Sequence, residues 1–322
     1  MILPSPPDRR RLWPPALALA LVACAPEQRF ASLGDFALES GEVIRDCRIG
    51  YRTFGELDPT RSNGVLVPSW ALGTSGDLAR QIAFGRLLDP SGLYVIAVDA
   101  LGNGVSSSPS SSERQHGSAF PRFSMRDVVE TQHQLLTRVL GVSHLKAVVG
   151  ISAGGMQAFQ WATAHPEFLD KAIAIAGSPR SSLQDQRWWR AFIDERRREA
   201  GWKRALRGLA RAAPRDAARE LLGDVEDFDR QARAIAALDV SAPFGGSMER
   251  AAAAVRAKLL VVVPERDEVV DPAPALEFAR LARAEVLVLD GRCGHRATTC
   301  ESEAIRSAVA RFLADEPRSA SE

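Results

Sequence analysis

The sequence has few cysteines, no long apolar run and no excess of charge of either sign. Its 322 residues include four cysteines, too few for a disulfide-rich scaffold. Lysine and arginine total 41 against 40 aspartates and glutamates, which indicates neither a nucleic-acid-binding protein nor a disordered acidic chain. No apolar run reaches the roughly 20 residues of a membrane-spanning helix, and no unit of about 20 to 50 residues repeats. These absences exclude polytopic membrane proteins, solenoids and propellers, and leave a globular protein of one large or two small domains.

Residues 1–24 have the layout of an export signal. Three arginines at 9–11 precede an apolar stretch at 12–23. The segment ends Leu-Val-Ala-Cys24, which resembles the lipobox of bacterial lipoproteins, in which the cysteine is acylated and becomes the first mature residue. We therefore expect an exported protein, periplasmic or tethered to a membrane through lipid on Cys24. The alternatives are cleavage after Ala25 and a start codon assigned too early.

The middle of the chain alternates short β-rich runs with helical patterns. The runs 259–263 and 286–289 are almost wholly apolar, which is typical of strands buried on both faces of a parallel sheet. We therefore predict an α/β fold with a mostly parallel sheet and helices on both faces. The predicted strands are Arg48–Phe54, Val65–Pro68, Tyr94–Val98, Lys146–Gly150, Lys171–Ala176, Leu259–Val263 and Glu285–Leu289, and the predicted helices are Met125–Leu140, Gly154–Ala164, Ala273–Ala282 and Glu301–Leu313.

Residues 180–255 interrupt this alternation, because they contain helix formers and no convincing strand. We predict a helical cap insertion over one edge of the sheet, between core segments 30–179 and 256–315. The cap is rich in arginine, which indicates a solvated face or a surface against anionic lipid. Its three tryptophans are expected in the cap core or in the wall of the substrate pocket. Residues 316–322 form a short polar tail.

A candidate nucleophile follows the predicted strand at 146–150. Gly150-Ile151-Ser152-Ala153-Gly154 is a G-x-S-x-G motif, which alone is a weak signal. A strand before the motif and a helix after it predict a nucleophile elbow, with the Ser152 hydroxyl projecting above the sheet. The alternative is a glycine-rich helix start capped by a serine.

A serine nucleophile needs a base, and the base needs an acid that orients it. In this arrangement the chain order is serine, acid, histidine. Of five histidines only His295 lies near the C-terminus, in the loop after the last predicted strand. The expected acid is Asp267, just past the strand at 259–263, with Glu265, Glu268 and Asp271 as competitors. The alternatives are an exposed loop histidine and a turn carboxylate.

Acyl transfer also requires backbone N–H groups that stabilise the tetrahedral oxyanion. One donor is expected from Ala153, directly after the nucleophile. The other should lie in the loop after the strand at 65–68, where the sequence reads Ser69-Trp70-Ala71-Leu72-Gly73. We assign it to Leu72, with Ala71 as the alternative.

Several stretches together resemble the homoserine O-acetyltransferase family of α/β-hydrolase-fold enzymes. The likeness covers roughly residues 35–315 and is closest at 50–57, 99–104 and 152–158. Trp70-Ala71-Leu72 is similar to the family's His-Ala-Leu oxyanion segment, and Gly294-His295 matches its Gly-His. The resemblance implies the α/β-hydrolase fold and an acyl group carried on serine, then passed to a hydroxyl or to water.

Three departures from the family favour ester hydrolysis over homoserine acetylation. Arg296 stands where homoserine-using members have an aspartate that helps bind the substrate amine. The cap looks shorter than in those members, and an exported protein lies outside the reach of cytoplasmic acetyl-CoA. We therefore predict a serine esterase acting on a small-molecule acyl ester. The alternative is a homoserine O-acetyltransferase, which would need acetyl-CoA as acyl donor.

No metal, other cofactor or nucleic acid is expected. The cysteines do not have a zinc-finger spacing, and the sequence contains neither a phosphate-binding P-loop motif nor a dinucleotide fingerprint. Cys293 and Cys300 bracket His295, either as a disulfide that braces the loop or as two buried thiols. The sequence leaves a homodimer open.

Overall fold

The computed structural model describes residues 26–83, 85–196 and 224–315. The expected export signal, Cys24 and the tail at 316–322 lie outside this part of the chain, and so do cap residues 197–223 with Trp202. None of the described helices is long and apolar enough to span a membrane.

Eight strands form one sheet in the order β1-β2-β4-β3-β5-β6-β7-β8. The first pair, β1 and β2, is antiparallel, β2 pairs antiparallel with β4, and all later neighbours are parallel. The central parallel strands are almost wholly buried, which explains their continuous apolar sequences. The strands are β1 (Arg29–Ala37), β2 (Val43–Phe54), β3 (Gly64–Pro68), β4 (Tyr94–Val98), β5 (Ala147–Ile151), β6 (Lys171–Ile175), β7 (Lys258–Pro264) and β8 (Glu285–Leu289).

Helices cover both faces of the sheet, as the sequence predicts. One face packs against α2, α3 and α7, and the other against α1 and α9. The described helices are α1 (Ser75–Ala83), α2 (Met125–Gln134), α3 (Ala153–Ala164), α4 (Leu183–Arg196), α5 (Val225–Ala236), α6 (Met248–Ala254), α7 (Ala273–Ala282), α8 (Ala297–Cys300) and α9 (Ser302–Ala314).

Three elements were not predicted, namely β1, α1 and the four-residue helix α8, and one helix was predicted too long. Strand β1 lies at the edge of the sheet and contains two register shifts, so its apolar residues do not alternate regularly. Helix α1 buries Leu78 and Ile82 on one face, too few apolar positions for its period to stand out. The predicted helix at 125–140 ends as an α-helix at Gln134 and continues as a π-helical turn, Leu135–Val139.

The described part of the cap region contains α4, α5 and α6. Trp189, Phe192 and Phe228 pack the first two helices together, so Trp189 is buried in the apolar interface between them. Helix α6 packs against α7 and α3 of the core. This arrangement places α5 above the carboxyl edge of the sheet, where its side chains contact the loops that follow β3 and β4.

Candidate active site

Ser152 occupies a sharp turn between β5 and α3. Its backbone has φ 55° and ψ −121°, a strained conformation for a non-glycine residue, and its N–H donates to the Ile175 carbonyl at 2.8 Å. The flanking glycines are required by close backbone contacts. A Cβ on Gly150 would lie 2.0 Å from the Gly154 carbonyl oxygen, and one on Gly154 would lie 2.6 Å from that of Pro68. The sequence therefore folds here into the elbow that the motif predicts.

The three expected triad side chains converge at the carboxyl edge of the sheet. The Nε2 atom of His295 lies 2.9 Å from the Ser152 Oγ, and its Nδ1 lies 2.7 Å from the Asp267 Oδ2. Each residue follows a different strand, namely β5, β7 and β8. This chain of hydrogen bonds can take a proton from the serine and hold the resulting imidazolium beside a carboxylate.

Asp267 is held by its own backbone turn. Its side chain is only 1% exposed, and Oδ1 accepts the N–H groups of Val269 and Val270, each at 2.9 Å. The other oxygen is thereby left to face His295. Within the described residues, none of the three competing carboxylates reaches the imidazole.

The His295 loop approaches the loop after β7 closely. Gly294 has φ +52°, and a Cβ there would lie 2.6 Å from the Arg266 carbonyl oxygen, so glycine is required at this position. The His295 side chain remains 21% exposed, which leaves it reachable from solvent. Arg296, which stands where homoserine-using members of the family have an aspartate, is exposed.

A disulfide joins Cys293 to Cys300 on either side of His295. The pair is therefore bridged rather than present as two thiols. Cys47, by contrast, is a buried free thiol in β2, and burial raises its pKa to about 12. Cys47 is accordingly a core residue with no reactive thiolate at neutral pH.

The loop after β3 is the expected oxyanion loop, and its hydrogen bonds were not predicted. Leu72 has φ +57°, and its N–H donates to the Oε1 of Gln231, on cap helix α5, at 2.7 Å. Gln157 donates to the Ser69 carbonyl at 2.9 Å. The Leu72 amide is thus already engaged by a cap side chain, which no motif in the sequence could have indicated.

The core also holds this loop, through Asn103. Its Nδ2 donates to the Gly73 carbonyl at 3.0 Å and to the Asp99 carboxylate at 3.0 Å. Asn103 lies in the stretch 99–104, which is one of the stretches most similar to the family. That similarity is the sequence signal that could have identified Asn103 as a residue of the site. Among the described residues, the N–H groups of Ala71 and Ala153 have no hydrogen-bond acceptor.

A small cavity adjoins Ala153 and the oxyanion loop. Its volume is about 20 Å³, room for roughly one water-sized group. Core and cap both contribute to its largely apolar wall. The lining residues are Ser69, Trp70, Ala71, Ala100, Leu101, Phe123, Met125, Val128, Ala153, Gln157, Gln231, Ala234 and Ile235.

A second polar cluster lies at the far end of α3 from Ser152. One carboxylate oxygen of Glu130 lies 3.9 Å from the His133 Nδ1, and the other lies 3.5 Å from the His165 Nε2. The ligand atoms of the three residues lie within 4.8 Å of one another. The two imidazoles, however, stack at 4.2 Å with 12° between their planes, so their in-plane lone pairs do not converge on one point. The arrangement fits a carboxylate shared by two imidazoles better than a metal site.

Comparisons with known proteins identify relatives of the same fold. A family model described as the alpha/beta hydrolase fold matches residues 65–213. An ethyl acetate hydrolase from Pseudomonas veronii is 39% identical over 156 residues, which cover 48% of this chain and 45% of that protein. A homoserine O-acetyltransferase from Methanococcoides burtonii is 35% identical over 169 residues, which cover 47% of this chain and 34% of that protein.

A solved structure extends the likeness to most of the chain. The acetyl esterase MekB has a TM-score of 0.80 and 26% identity, over 90% of this chain and 98% of that one. In sequence, this chain spans less than half the length of the two curated relatives. The relatives thus include both an ester hydrolase and an acyltransferase.

Proposed function

Because this chain has the α/β-hydrolase fold and resembles the homoserine O-acetyltransferase-like family, we propose that it hydrolyses carboxyl esters of small acyl groups. The observation that carries the proposal is the hydrogen-bonded series Ser152–His295–Asp267 above a strained elbow. The names of the relatives support the reaction class, and the geometry supports the identity of the nucleophile.

In the proposed reaction, the Ser152 Oγ attacks the ester carbonyl while His295 takes its proton through Nε2. The tetrahedral oxyanion receives hydrogen bonds from backbone N–H groups, including that of Ala153. The imidazolium then protonates the leaving alcohol, and an acyl-serine remains. A water molecule, deprotonated by His295, attacks the acyl group, the proton returns to Ser152, and the product leaves as a carboxylic acid that ionises in solvent. Asp267 keeps the imidazole in the required tautomer throughout.

The small cavity supports a short acyl group. At about 20 Å³ it has room for a methyl group beside the oxyanion donors, and a longer chain would need side chains to move. Acetyl esters are therefore the proposed substrates. Residues of the core and of the cap both line the cavity, so we expect their packing to limit the length of the acyl group.

Transfer to water is favoured over transfer to homoserine. Exposed Arg296 follows the base directly and would repel the substrate's ammonium group. Incubation with acetyl-CoA and homoserine, followed by mass spectrometry, tests the alternative. Formation of O-acetylhomoserine faster than acetate would contradict the hydrolase proposal.

The esterase proposal is tested with p-nitrophenyl esters of increasing acyl length. We expect turnover of the acetate by the wild type and a loss of at least about 10⁴-fold in Ser152→Ala, because the triad acts as a unit. Ser40→Ala, at an exposed serine outside the site, is the matched control and should keep the wild-type rate. A fluorophosphonate probe should label the wild type and not Ser152→Ala. Equal rates in both serine variants would end the proposal.

Export and lipidation at Cys24 are part of the proposal and rest on the sequence. Pro26, two residues further on, accepts a hydrogen bond from the Arg52 guanidinium in β2, so a lipid anchor would hold the folded core close to the membrane surface. Growth with labelled palmitate should label the wild type and not Cys24→Ser. Label retained by the variant would overturn the assignment.

A further inference from the structure

The turn that carries the proposed acid is bound by the cap as well as by its own side chain. Three consecutive backbone N–H groups, those of Val269, Val270 and Asp271, each donate to a carboxylate oxygen. The first two donate to Oδ1 of Asp267, and the third donates to Oδ1 of Asp185 at 3.0 Å. Asp185 lies in the first turn of cap helix α4, 86 positions earlier in the chain. One short turn is thus shared between the acid and the cap.

Asp185 is itself held in place at the start of α4. The residue is 3% exposed, its Oδ2 accepts the N–H of Ser182 at 3.1 Å, and its own N–H donates to the Ser182 Oγ at 3.1 Å. This reciprocal pair is a capping box. Burial raises the pKa of the Asp185 carboxyl above its ordinary value, and the hydrogen bonds from Asp271 and Ser182 oppose that rise. The two oxygens therefore have separate tasks, since Oδ2 caps the helix and Oδ1 binds the turn.

The bond from Asp271 restrains the amides that hold the acid. The N–H groups of Val270 and Asp271 belong to adjacent peptide groups, which are rigid planes joined at the Val270 Cα. The Val270 side chain is also buried, at 3% exposed, so neither end of this residue turns freely. In the described part of the chain, His295 and Asp185 are the side chains from elsewhere that hydrogen-bond residues 267–271. Asp185 is accordingly the external restraint on the orientation of the turn.

We propose that Asp185 is a positioning residue, which holds the acid turn so that Asp267 faces His295. The contacts run from Asp185 through the turn amides to Asp267 and from there to the imidazole. The inference rests on the esterase function proposed above and adds a cap residue behind the triad. Helix α4 thereby affects the orientation of the base, and its role extends beyond covering the sheet.

The test compares Asp185→Leu with two controls. Leucine has as many side-chain heavy atoms as aspartate but accepts no hydrogen bond, so the Asp271 N–H loses its partner. Asp227→Leu is the matched control, because Asp227 is also 3% exposed in the first turn of a cap helix, α5, and accepts the N–H of Ser110 at 2.8 Å. Ser182→Ala removes the hydroxyl that caps α4 and leaves the bond from Asp271 to Asp185 in place.

Two measurements separate positioning from structural support. Proton NMR follows the hydrogen between His295 Nδ1 and Asp267, because a strong hydrogen bond to a carboxylate shifts such a resonance downfield of the backbone amides. Kinetics on p-nitrophenyl acetate give kcat and KM. Thermal unfolding of each variant gives the accompanying loss of stability.

In Asp185→Leu we expect the downfield resonance to move upfield or to disappear by exchange with water. We expect kcat to fall roughly 10- to 100-fold, with KM changed less than about threefold, because the acid is misplaced and the pocket is not. Asp227→Leu and Ser182→Ala should lose stability but keep the wild-type resonance and kcat. A purely structural role for Asp185 would give the same result in all three variants.

An unchanged resonance or an unchanged kcat in Asp185→Leu would overturn the inference. Equal losses in Asp227→Leu would also overturn it, because general loosening of the cap would then explain them. If Asp185→Leu does not fold, Asp185→Ser, whose side chain is one atom too short for the same bond, is measured with the same expectations. A wild type that hydrolyses no ester and whose Ser152 a fluorophosphonate does not label would instead refute the esterase function. The resonance would still report whether Asp185 holds the turn, so the two failures are distinguishable.

Discussion

At the scale of single residues, the proposed role of His295 as a base depends on the orientation of Asp267. The N–H groups of Val269 and Val270 both point at Oδ1, so any side chain at this position must present an oxygen to them. Oδ2 is then the atom that faces the imidazole. We therefore expect the two backbone amides to set the tautomer of His295 through the carboxylate.

The first prediction concerns Asp267→Asn. The backbone amides will hold the asparagine oxygen, which places the NH₂ group against His295 Nδ1 and forces the wrong tautomer. We expect kcat on p-nitrophenyl acetate to fall about 10³- to 10⁴-fold with the fold retained. Asp271→Asn is the control and should keep most activity. A loss of less than tenfold in Asp267→Asn would mean that another carboxylate orients the base.

The second prediction concerns Glu130, whose pKa lies well below its ordinary value of 4.5. The cause is favourable contact with His133 first and with His165 second. A carboxyl whose folded pKa is lowered stabilises the fold fully above its unfolded pKa, and this contribution is lost as the pH falls below 4.5. We therefore expect Glu130→Gln to be less stable than the wild type at pH 7.

Urea unfolding of both proteins between pH 7 and pH 3 measures this difference. The gap in unfolding free energy should be constant down to about pH 5 and shrink below pH 4.5. Glu167→Gln, at a glutamate whose side chain is 85% exposed, is the control and should show little change. A gap that widens as the pH falls would contradict the assigned direction.

At the scale of elements, the base loop is braced at both ends. The disulfide Cys293–Cys300 spans the 3₁₀ turn Gly294–Arg296 and helix α8, and so encloses His295 in a short covalent loop. The loop also rests against the Arg266 carbonyl at Gly294. Two independent restraints thus keep the imidazole near Ser152 and Asp267.

The third prediction follows from this brace. Replacing both cysteines by serine should lower the unfolding free energy by about 2 to 3 kcal/mol, the loop-closure estimate for a ring of this size. We also expect kcat to fall severalfold, because the loop gains freedom. Dithiothreitol should reproduce both effects in the wild type, as followed by thermal unfolding and ester hydrolysis. The double variant is the control, since reductant should not change it further.

At the scale of the whole molecule, the proposed acyl pocket is lined by residues of both the core and the cap region. Met125 and Val128 reach the cavity from α2, and Ile235 reaches it from cap helix α5. Ile235 is 2% exposed, so it fills space at this junction tightly. We therefore expect the substrate range to depend on how these two parts of the chain pack.

The fourth prediction tests that junction with Ile235→Ala. Removing three carbon atoms from the wall should raise the ratio of butyrate to acetate hydrolysis at least about fivefold, at a stability cost of about 2 to 4 kcal/mol. Ile193→Ala is the matched control, because Ile193 is 4% exposed in cap helix α4 and does not line this cavity. It should lose stability without a change in the acyl ratio. An unchanged ratio in Ile235→Ala would place the acyl group elsewhere.

The sequence alone determined the features that depend on neighbours along the chain. The expected α/β-hydrolase fold is confirmed. The elbow around Ser152 was readable because its glycines, its strand and its helix are contiguous. The irregular edge strand β1 and the short helix α1 were not predicted, because a few apolar residues do not establish a hydrophobic period. The roles of the triad residues remain predictions until the variants are measured.

Tertiary structure alone decided the contacts between distant side chains. It brought His295 to Ser152 across 143 positions, selected Asp267 from four nearby carboxylates, and placed Gln231 on Leu72 across 159 positions. Such contacts depend on the direction in which each side chain leaves its backbone and on how elements pack, and neither is encoded in a local pattern. The physical reason is that local sequence governs backbone conformation, whereas the site consists of side chains that meet only after the whole chain has folded.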